Sequence, residues 1–345
     1  MSGIPLPMHY ATTTDGVRIA YMSLGNGPPL VFASNIFGDL NAYLGGWPAT
    51  KEVTNRLVGQ GWRLILCDVR GMGYSDRNVA DLELAGRVRD VDAVVADLGL
   101  ERFALGGLDI GAATAVAYAV ANPQKVSRLI LLSPWASGVK YLALPKLRAA
   151  YSVEDVSKGD PELFANMLGS VATSFKDPEL VRIRTQGHLK ATSAEGLLAY
   201  NAANSRIDIT ELLPKVAAPT LVIHEPAFPF GSFELCREVA AGIPGAEFLI
   251  VNDNSIAGRV HDETVAGIDG FLRGVTADQM PVPNGLTTRE VETLRLVASG
   301  STNKEIAAAL HIAVSTVERH LVNLYDKIAA RGRADAIAFA LRHRL

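Results

Sequence analysis

The sequence is poor in cysteine and has no long apolar run. Its 345 residues include only two cysteines, Cys67 and Cys236, which excludes the disulfide framework of small secreted domains. No apolar stretch reaches the roughly 18 residues that a helix needs to cross a bilayer. The opening MSGIPLPMHYATT lacks both the charged segment and the apolar core of a signal peptide. We therefore expect a cytoplasmic protein with no membrane partner, no metal and no cofactor.

The charge of the chain is small in total but unevenly distributed. The net charge is -3 at neutral pH. Residues 285–345 contain nine lysines and arginines against six acidic residues, a net charge of +3, which leaves -6 for the rest of the chain. An acidic body with a basic C-terminal segment indicates that this segment binds a polyanion.

Short apolar runs alternate with helical patterns between residue 18 and about residue 275. This alternation predicts a mostly parallel sheet with helices on both faces, the doubly wound α/β class. Between residue 136 and about residue 215 helical patterns follow one another without a strong strand, which predicts a helical cap over one edge of the sheet. The predicted strands are residues 29–35, 63–69, 102–109, 126–135, 219–225 and 246–252.

A segment rich in proline and glycine separates this region from the C-terminal part. The run GVTADQMPVPNG lacks helical periodicity and is typical of a linker. We predict a first domain over residues 1–275, a linker over residues 276–285 and a small all-helical domain over residues 286–345.

Four short helical patterns follow one another in the C-terminal sixty residues. A three-residue turn, His311-Ile312-Ala313, separates the second pattern from the third. The third pattern has an apolar stripe at helical spacing, formed by Val317, Leu321, Leu324 and Ile328. Helix, tight turn and helix with an exposed polar face is the geometry that fits the major groove of DNA.

The segment LTTREVETLRLVASGSTNKEIAAALHIAVSTVERHL resembles the DNA-binding domain of the LuxR family over essentially all of residues 285–345. The Leu-Thr-x-Arg-Glu opening, the Asn-Lys-Glu-Ile-Ala stretch and the Thr-Val-x-x-His helix have the spacing of that family. The resemblance implies double-stranded DNA as a partner, bound by a homodimer on an inverted-repeat operator, with RNA polymerase as a further candidate partner. The alternative is a helical docking domain without affinity for DNA.

The same resemblance implies which side chains meet the DNA. Lys304, Thr316 and Lys327 would lie near phosphates and set the register of the protein on the duplex. Arg319 would bind O6 and N7 of a guanine, and Glu318 would accept a hydrogen bond from a cytosine amino group. Many family members have lysine at the position of Glu318, so we expect a shifted base preference here. The full set is Lys304, Thr316, Glu318, Arg319, Asn323 and Lys327.

The first 275 residues resemble the α/β-hydrolase superfamily. The turn DVRGMGYSDR follows a predicted strand, and the stretch Gly107-Leu108-Asp109-Ile110-Gly111 follows the next strand. The second stretch has the form of a nucleophile elbow, a sharp turn between a strand and a helix. The resemblance implies an α/β-hydrolase-like sheet with a helical cap. Because this fold hosts many functions, the site has to be assessed residue by residue.

An aspartate, Asp109, stands where most members of this superfamily have serine. Haloalkane dehalogenases and epoxide hydrolases use such an aspartate as nucleophile, so the substitution does not by itself exclude catalysis. The histidine base is expected near Asn254 or Ser255, neither of which accepts a proton at neutral pH. His261 comes about seven residues too late, and Phe228 stands near the expected acid. Because catalytic groups act as a unit, the sequence predicts a degenerate hydrolase that is not an enzyme.

We therefore expect the first domain to bind a small, mostly apolar effector molecule and to act as a sensor in a ligand-responsive transcription regulator. Asp109 would accept a hydrogen bond from the effector, with a pKa raised by burial; its alternative role is the N-cap of the following helix. In one rival hypothesis the domain is still catalytic, with Asp109 as nucleophile and His261 as base; in another it binds a protein partner. The predicted lining residues are Asn35, Ile36, Phe37, Asp109, Ile110, Trp135 and Phe228, with Tyr141, Phe164, Met167 and Tyr200 added by the cap.

Overall fold

The computed structural model describes residues 8–342, except 34–38, 45–47, 153–160, 173–176, 227, 229, 252–261, 275–285, 287, 299–300, 311 and 329. The chain divides into two units, Met1–Asp269 and Gly270–Leu345. The predicted linker, residues 276–285, lies outside the described residues.

A single sheet of eight strands organises the described part of the first unit. Its strand order is β1-β2-β4-β3-β5-β6-β7-β8, and the pairs from β4 to β8 are parallel. The strands are β1 His9–Thr12, β2 Arg18–Leu24, β3 Pro29–Ala33, β4 Arg63–Cys67, β5 Phe103–Leu108, β6 Val126–Leu132, β7 Thr220–His224 and β8 Glu247–Ile250. The predicted fold class is confirmed, and the strand order reverses between β3 and β5, where open α/β sheets bind their ligands.

The hairpin of β1 and β2 was not among the predicted strands. Both strands pair antiparallel with their neighbours at the edge of the sheet, β1 with β2 and β2 with β4. Only Ala11 of the four residues in β1 is buried, so β1 has no apolar run that would identify it. The runs that did predict strands lie in the parallel part of the sheet, where burial on both faces demands continuous apolar sequence.

Helices cover the sheet and form the cap. In the described part of the chain between β6 and β7, five helices, α5 to α9, follow one another as predicted for the cap, and a 3-10 helix at Thr210–Lys215 leads back to the sheet. Asp177 and Ser193 accept hydrogen bonds from backbone N–H groups at the starts of α8 and α9, which fixes where these helices begin. The helices are α1 Asp39–Leu44, α2 Pro48–Gly59, α3 Leu84–Asp97, α4 Ile110–Ala121, α5 Gly138–Leu142, α6 Pro145–Ser152, α7 Pro161–Ala172, α8 Pro178–Ala191, α9 Ala194–Ser205, α10 Phe233–Gly242 and α11 Asp262–Arg273.

The second unit is a small bundle of helices: α12 Thr288–Ala298, α13 Asn303–Leu310, α14 Val314–Lys327 and α15 Arg333–Arg342. Helix α13 begins with a reciprocal cap, because Thr302 Oγ1 accepts from the N–H of Glu305 while Glu305 Oε2 accepts from the N–H of Thr302 at 2.7 Å. The side chains of Val317, Leu321 and Leu324 are buried in the shared core, as their helical spacing predicts. None of the described helices is long and apolar enough to span a membrane.

A buried arginine holds three separate segments of the first unit together. Arg70, which follows β4, is fully buried; its Nε donates to Asp90 of α3 at 2.8 Å and its Nη1 donates to Asp15 of the β1–β2 turn at 2.7 Å. These contacts hold the pKa of Asp15 far below its usual range. Burial raises the pKa of Asp90 to about 6, although Arg70 acts in the opposite direction.

Replacing Arg70 with alanine is expected to destabilise the first unit by about 3–5 kcal/mol, because it leaves the carboxylate of Asp90 buried without its partner. Equilibrium unfolding in urea measures this loss. The matched control is Arg18→Ala, which removes an arginine that binds Asp76 at the surface with 65% of its side chain exposed. The control is expected to lose much less stability. Equal losses in the two variants would contradict the role assigned to Arg70.

Candidate functional site

Asp109 occupies a strained turn between β5 and α4. Its φ and ψ angles are 55° and -117°, a conformation that is unfavourable for a residue with a side chain. The approach of β5 to α4 is so close that a β-carbon at Gly107 would lie 2.4 Å from the carbonyl oxygen of Gly111. Glycine at position 107 is therefore required for the turn, and the turn fixes the position of Asp109 at the carboxyl end of the sheet.

Two aromatic side chains bind the carboxylate of Asp109. Trp135, which follows β6, donates its Nε1–H to Oδ1 at 2.7 Å, and Tyr141 of the cap helix α5 donates its hydroxyl to Oδ2 at 2.9 Å. The two rings are stacked with their centroids 4.7 Å apart and their planes inclined by 15°. Asp109 stands at the N-cap position of α4, but its side chain does not make the capping hydrogen bond that N-cap residues make to the second or third residue of a helix.

The carboxyl group of Asp109 is almost completely buried. Burial raises its pKa to about 6, while the hydrogen bonds from Trp135, Tyr141 and the backbone N–H of Ile110 act in the opposite direction. Among the described residues, no lysine or arginine forms an ion pair with Asp109. The ionised form is therefore stabilised by neutral donors, and the raised pKa brings the ionisation of this carboxyl group closer to neutral pH than that of an ordinary aspartate.

Near Asp109, the ends of β6 and β7 carry a serine with strained backbone and a buried histidine. Ser133 has a φ of 45°, and it and Asp109 are the two non-glycine residues with positive φ in the described chain. Its N–H donates to the carbonyl of Ile223 at 2.8 Å, which places it next to His224. His224 is buried with its Nδ1 3.7 Å from Sγ of Cys236. Burial lowers the pKa of His224 and raises the pKa of Cys236 to about 12, so both are neutral at pH 7.

Only some of the predicted lining residues can be located. Trp135 contacts Asp109 directly, and Ile110 is buried at the start of α4. Phe228 is half-buried, and a β-carbon at Gly231 would contact both Phe228 and Ser133, so the loop after β7 closes over the end of β6. Asn35, Ile36, Phe37 and the candidate base His261 lie outside the described residues, as does the side chain of Phe164. Met167 of α7 is half-buried, and its place in the site remains a prediction.

Another cap residue, Tyr200, packs against the body of the first unit. Tyr200 of α9 is covered by Arg87 of α3, whose guanidinium carbon lies 4.1 Å from the centroid of the ring. Arg87 Nη2 also donates to Asn204 Oδ1 at 2.8 Å. This contact attaches the cap to α3, a packing role that the sequence did not distinguish from a place in the site.

The second unit presents the predicted DNA-contacting residues on its surface. Glu318, Arg319 and Asn323 are exposed on α14, on the side opposite its buried stripe. Lys304 is exposed at the start of α13, and Thr316 is half-buried in the first turn of α14. The helix, turn and helix arrangement therefore leaves the polar side of α14 exposed, and it is the second helix of such a motif that enters the major groove in known DNA complexes.

Lys327 has a contact that the sequence did not predict. Its Nζ donates to Oε2 of Glu290 in α12 at 2.8 Å, and Glu290 is almost fully buried. The lysine thus compensates a buried carboxylate within the bundle, and a phosphate would have to share its ammonium group. Nothing in the sequence pattern connects two residues that are 37 positions apart.

Removing the charge of Asp109 is expected to change how stability depends on pH. The folded pKa of about 6 lies above the ordinary value of 3.8, so the contribution of Asp109 to the free energy of unfolding falls as the pH rises and is lost above about pH 6. Asp109→Asn does not titrate, and its stability relative to the wild type is expected to rise by about 1 kcal/mol between pH 5 and pH 8. Urea unfolding at both pH values measures the difference; a difference that does not depend on pH would contradict the raised pKa.

Comparison with known proteins finds two families in this chain. Residues 28–176 match the family model of the alpha/beta hydrolase fold, and residues 284–340 match that of bacterial regulatory proteins of the luxR family. A thermophilic esterase from Thermogutta terrifontis has the same fold, with a TM-score of 0.64 and 23% identity over 78% of this chain and 99% of the esterase.

Different relatives align with the two domains. The chain is 29% identical over 260 residues to a 2-hydroxy-6-oxononadienedioate/2-hydroxy-6-oxononatrienedioate hydrolase from Cupriavidus pinatubonensis, covering 71% of this chain and 82% of the hydrolase. It is 43% identical over 60 residues to the response regulator protein VraR from Staphylococcus aureus, covering 17% of this chain and 29% of VraR.

These relatives contradict the prediction that the first domain is not an enzyme. Relatives that align with most of this domain are named as hydrolases, and solved structures with the same fold are named as esterases. The prediction relied on the absence of a base near Asn254 and Ser255, in a segment that lies outside the described residues. An alignment by spacing alone was too weak a basis for excluding catalysis, since an aspartate in the elbow is itself a nucleophile in related enzymes.

The C-terminal unit is identified as a LuxR-type domain by its sequence match and by its helices together. The luxR-family match, residues 284–340, covers α12 to α14 and most of α15, including the exposed face of α14. The chain therefore combines an α/β-hydrolase domain with a C-terminal DNA-binding domain of the LuxR family.

Proposed function

We propose that this chain is a transcription regulator whose α/β-hydrolase domain takes up a small organic molecule at Asp109 and thereby controls DNA binding by the LuxR-type domain. The observation that carries the proposal is the burial of the Asp109 carboxylate and its hydrogen bonding to neutral donors. The carboxylate is buried at the elbow and bound by two neutral donors from different elements of the fold. Placing a carboxylate there costs free energy, which is typical of functional sites and not of packing positions.

The surroundings of Asp109 favour a particular chemistry in the ligand. The carboxylate accepts hydrogen bonds from Trp135, Tyr141 and the backbone N–H of Ile110, and it keeps a further lone pair for a donor on the ligand. A hydroxyl or an ammonium group supplies such a donor, and an ammonium group would also compensate the buried charge. The stacked rings of Trp135 and Tyr141 supply apolar surface, which suits a mostly apolar or aromatic body.

Tyr141 provides a physical route from the ligand to the cap. It lies in α5, the first cap helix, and its hydroxyl ties this helix to the carboxylate at the sheet edge. A ligand can compete with Tyr141 for Asp109 or add to the contact between them. In either case its affinity would depend on whether the cap is held against Asp109 by Tyr141. Such a difference in affinity is what a ligand needs in order to shift a conformational equilibrium.

A second candidate function is that the regulator also turns over its ligand. It is favoured by the strained backbone at Asp109, which has the conformation of a nucleophile elbow, and by the relatives named as hydrolases. In this case a carboxylate oxygen of Asp109 attacks an electrophilic carbon of the ligand and displaces an alkoxide or halide from it. The new bond between the oxygen and this carbon makes an ester of Asp109. Water then hydrolyses the ester, with His261 as the candidate base that accepts the proton of the water.

The DNA-binding half is proposed to act as a homodimer on an inverted repeat, because one such domain covers only a few base pairs. Lys304 and Thr316 are proposed to meet phosphates, while Glu318, Arg319 and Asn323 face the bases. RNA polymerase is the further partner that an activating regulator of this kind would contact.

Native mass spectrometry after incubation with pooled alcohols, amines, esters, epoxides and alkyl halides tests the ligand proposal. The wild type is expected to retain a molecule from the pool that Asp109→Asn does not retain. The control Asp92→Asn, which changes a half-exposed aspartate outside the site, is expected to behave like the wild type.

Two other outcomes of this experiment decide between the candidates. A covalent adduct on Asp109, or released product that requires Asp109, would establish the second candidate function. Retention of the same molecules by the wild type and by Asp109→Asn would contradict a ligand site at this carboxylate.

Two substitutions in the second unit are expected to have different effects on DNA binding. Lys304→Ala should weaken binding to all sequences and lower the slope of log affinity against log salt by about 1, because one phosphate contact is lost. Arg319→Ala should cost about 1–3 kcal/mol on the preferred site and relax the preference for one base pair. Fluorescence anisotropy with labelled duplexes over a series of salt concentrations measures both effects; identical behaviour of the two variants would contradict the assignment.

A further inference from the structure

The exposed face of α14 contains an apolar side chain among polar ones. Val322 is 59% exposed, which is high for a large aliphatic residue. It lies one helical turn after Glu318 and three residues after Arg319, so it shares their face of the helix. The buried residues Val317 and Leu324 lie on the opposite side and form the core of the bundle. Val322 is therefore not needed to hold the helix in place.

The polar neighbours of Val322 indicate what kind of surface covers it. Glu318, Arg319 and Asn323 surround it on the same face, and all three are exposed. An apolar protein surface that covered Val322 would also have to remove these charged and amide groups from water, which is costly without matching partners. The edges of base pairs supply such partners, because acceptors and donors alternate with apolar methyl groups along the major groove.

We infer that Val322 is a specificity-determining residue that packs against the C5-methyl group of a thymine. The inference rests on the proposed placement of α14 in the major groove of DNA. Among the groups that base pairs present in that groove, the thymine methyl is the apolar one, and aliphatic side chains contact it directly. Val322 thus reads a feature that Glu318 and Arg319, with their polar groups, do not recognise.

The helix geometry also indicates where this thymine lies. An α-helix rises about 1.5 Å per residue, so Val322 is displaced by about 6 Å along the axis from Glu318. Base pairs in a duplex are stacked about 3.4 Å apart. The thymine is therefore expected within about two base pairs of the position at which Glu318 accepts a hydrogen bond.

Replacement of thymine by uracil tests the inference, because uracil differs only by the missing methyl group. The full chain first selects its preferred sequence from a library of random duplexes. Each thymine of that sequence is then replaced by uracil, one position at a time, and the Kd is measured for the wild type, Val322→Ala and Val314→Ala. Val314 is the matched control, because it is a valine of the same helix that is 37% exposed.

The wild type is expected to bind about fourfold more weakly when uracil replaces one particular thymine in each half-site. Val322→Ala is expected to bind the two duplexes equally at that position, while Val314→Ala keeps the fourfold difference. If duplexes are bound but no thymine is sensitive, or if Val322→Ala keeps the full sensitivity, the inference is wrong while the proposed DNA binding stands. Failure of the chain to bind any duplex would overturn the proposed function and the inference together.

Discussion

The close approach of β5 and α4 determines what the first domain can do. Glycine at position 107 allows the helix to start directly above the strand, and the turn between them forces Asp109 into a positive φ angle. This strain is tolerated because the surrounding parallel strands fix the turn from both sides. The consequence is a side chain held at the carboxyl edge of the sheet, next to the point where the strand order reverses.

The ionisation of the Asp109 carboxyl group is governed by that position. The carboxylate cannot reach bulk water, so its charge depends on the indole of Trp135 and the hydroxyl of Tyr141. These two residues come from the end of β6 and from the cap, which means that the ionisation of one group is coupled to the packing of two elements. A molecule that enters this site meets both the charge and the cap. The same arrangement would serve a sensor and an enzyme with a carboxylate nucleophile.

The sequence predicts much of the fold because its signals are local. The run RLILC in β4 is continuous and apolar as a buried parallel strand requires, and the spacing of Val317, Leu321 and Leu324 is that of a buried helix stripe. The elbow follows from its small residues at Gly107 and Gly111, because only small side chains permit the turn.

Features that depend on distant residues could not be predicted in the same way. The ion pair of Lys327 with Glu290 joins two helices, and the hydrogen bond of Tyr141 to Asp109 joins the cap to the sheet. Neither pair has a characteristic spacing in the sequence. The prediction that the first domain is not an enzyme was wrong for a related reason, since it inferred the position of a catalytic histidine from spacing in a loop. Loops tolerate insertions, so spacing is least reliable there.

The central claim is that occupancy of the Asp109 site controls DNA binding. The most direct measurement is the Kd of the full chain for its selected duplex, with and without the molecule that the wild type retains, for the wild type and for Asp109→Asn. The claim predicts that the molecule changes the Kd of the wild type several-fold and leaves the Kd of Asp109→Asn unchanged. An identical Kd for the wild type with and without a saturating amount of the molecule would contradict it.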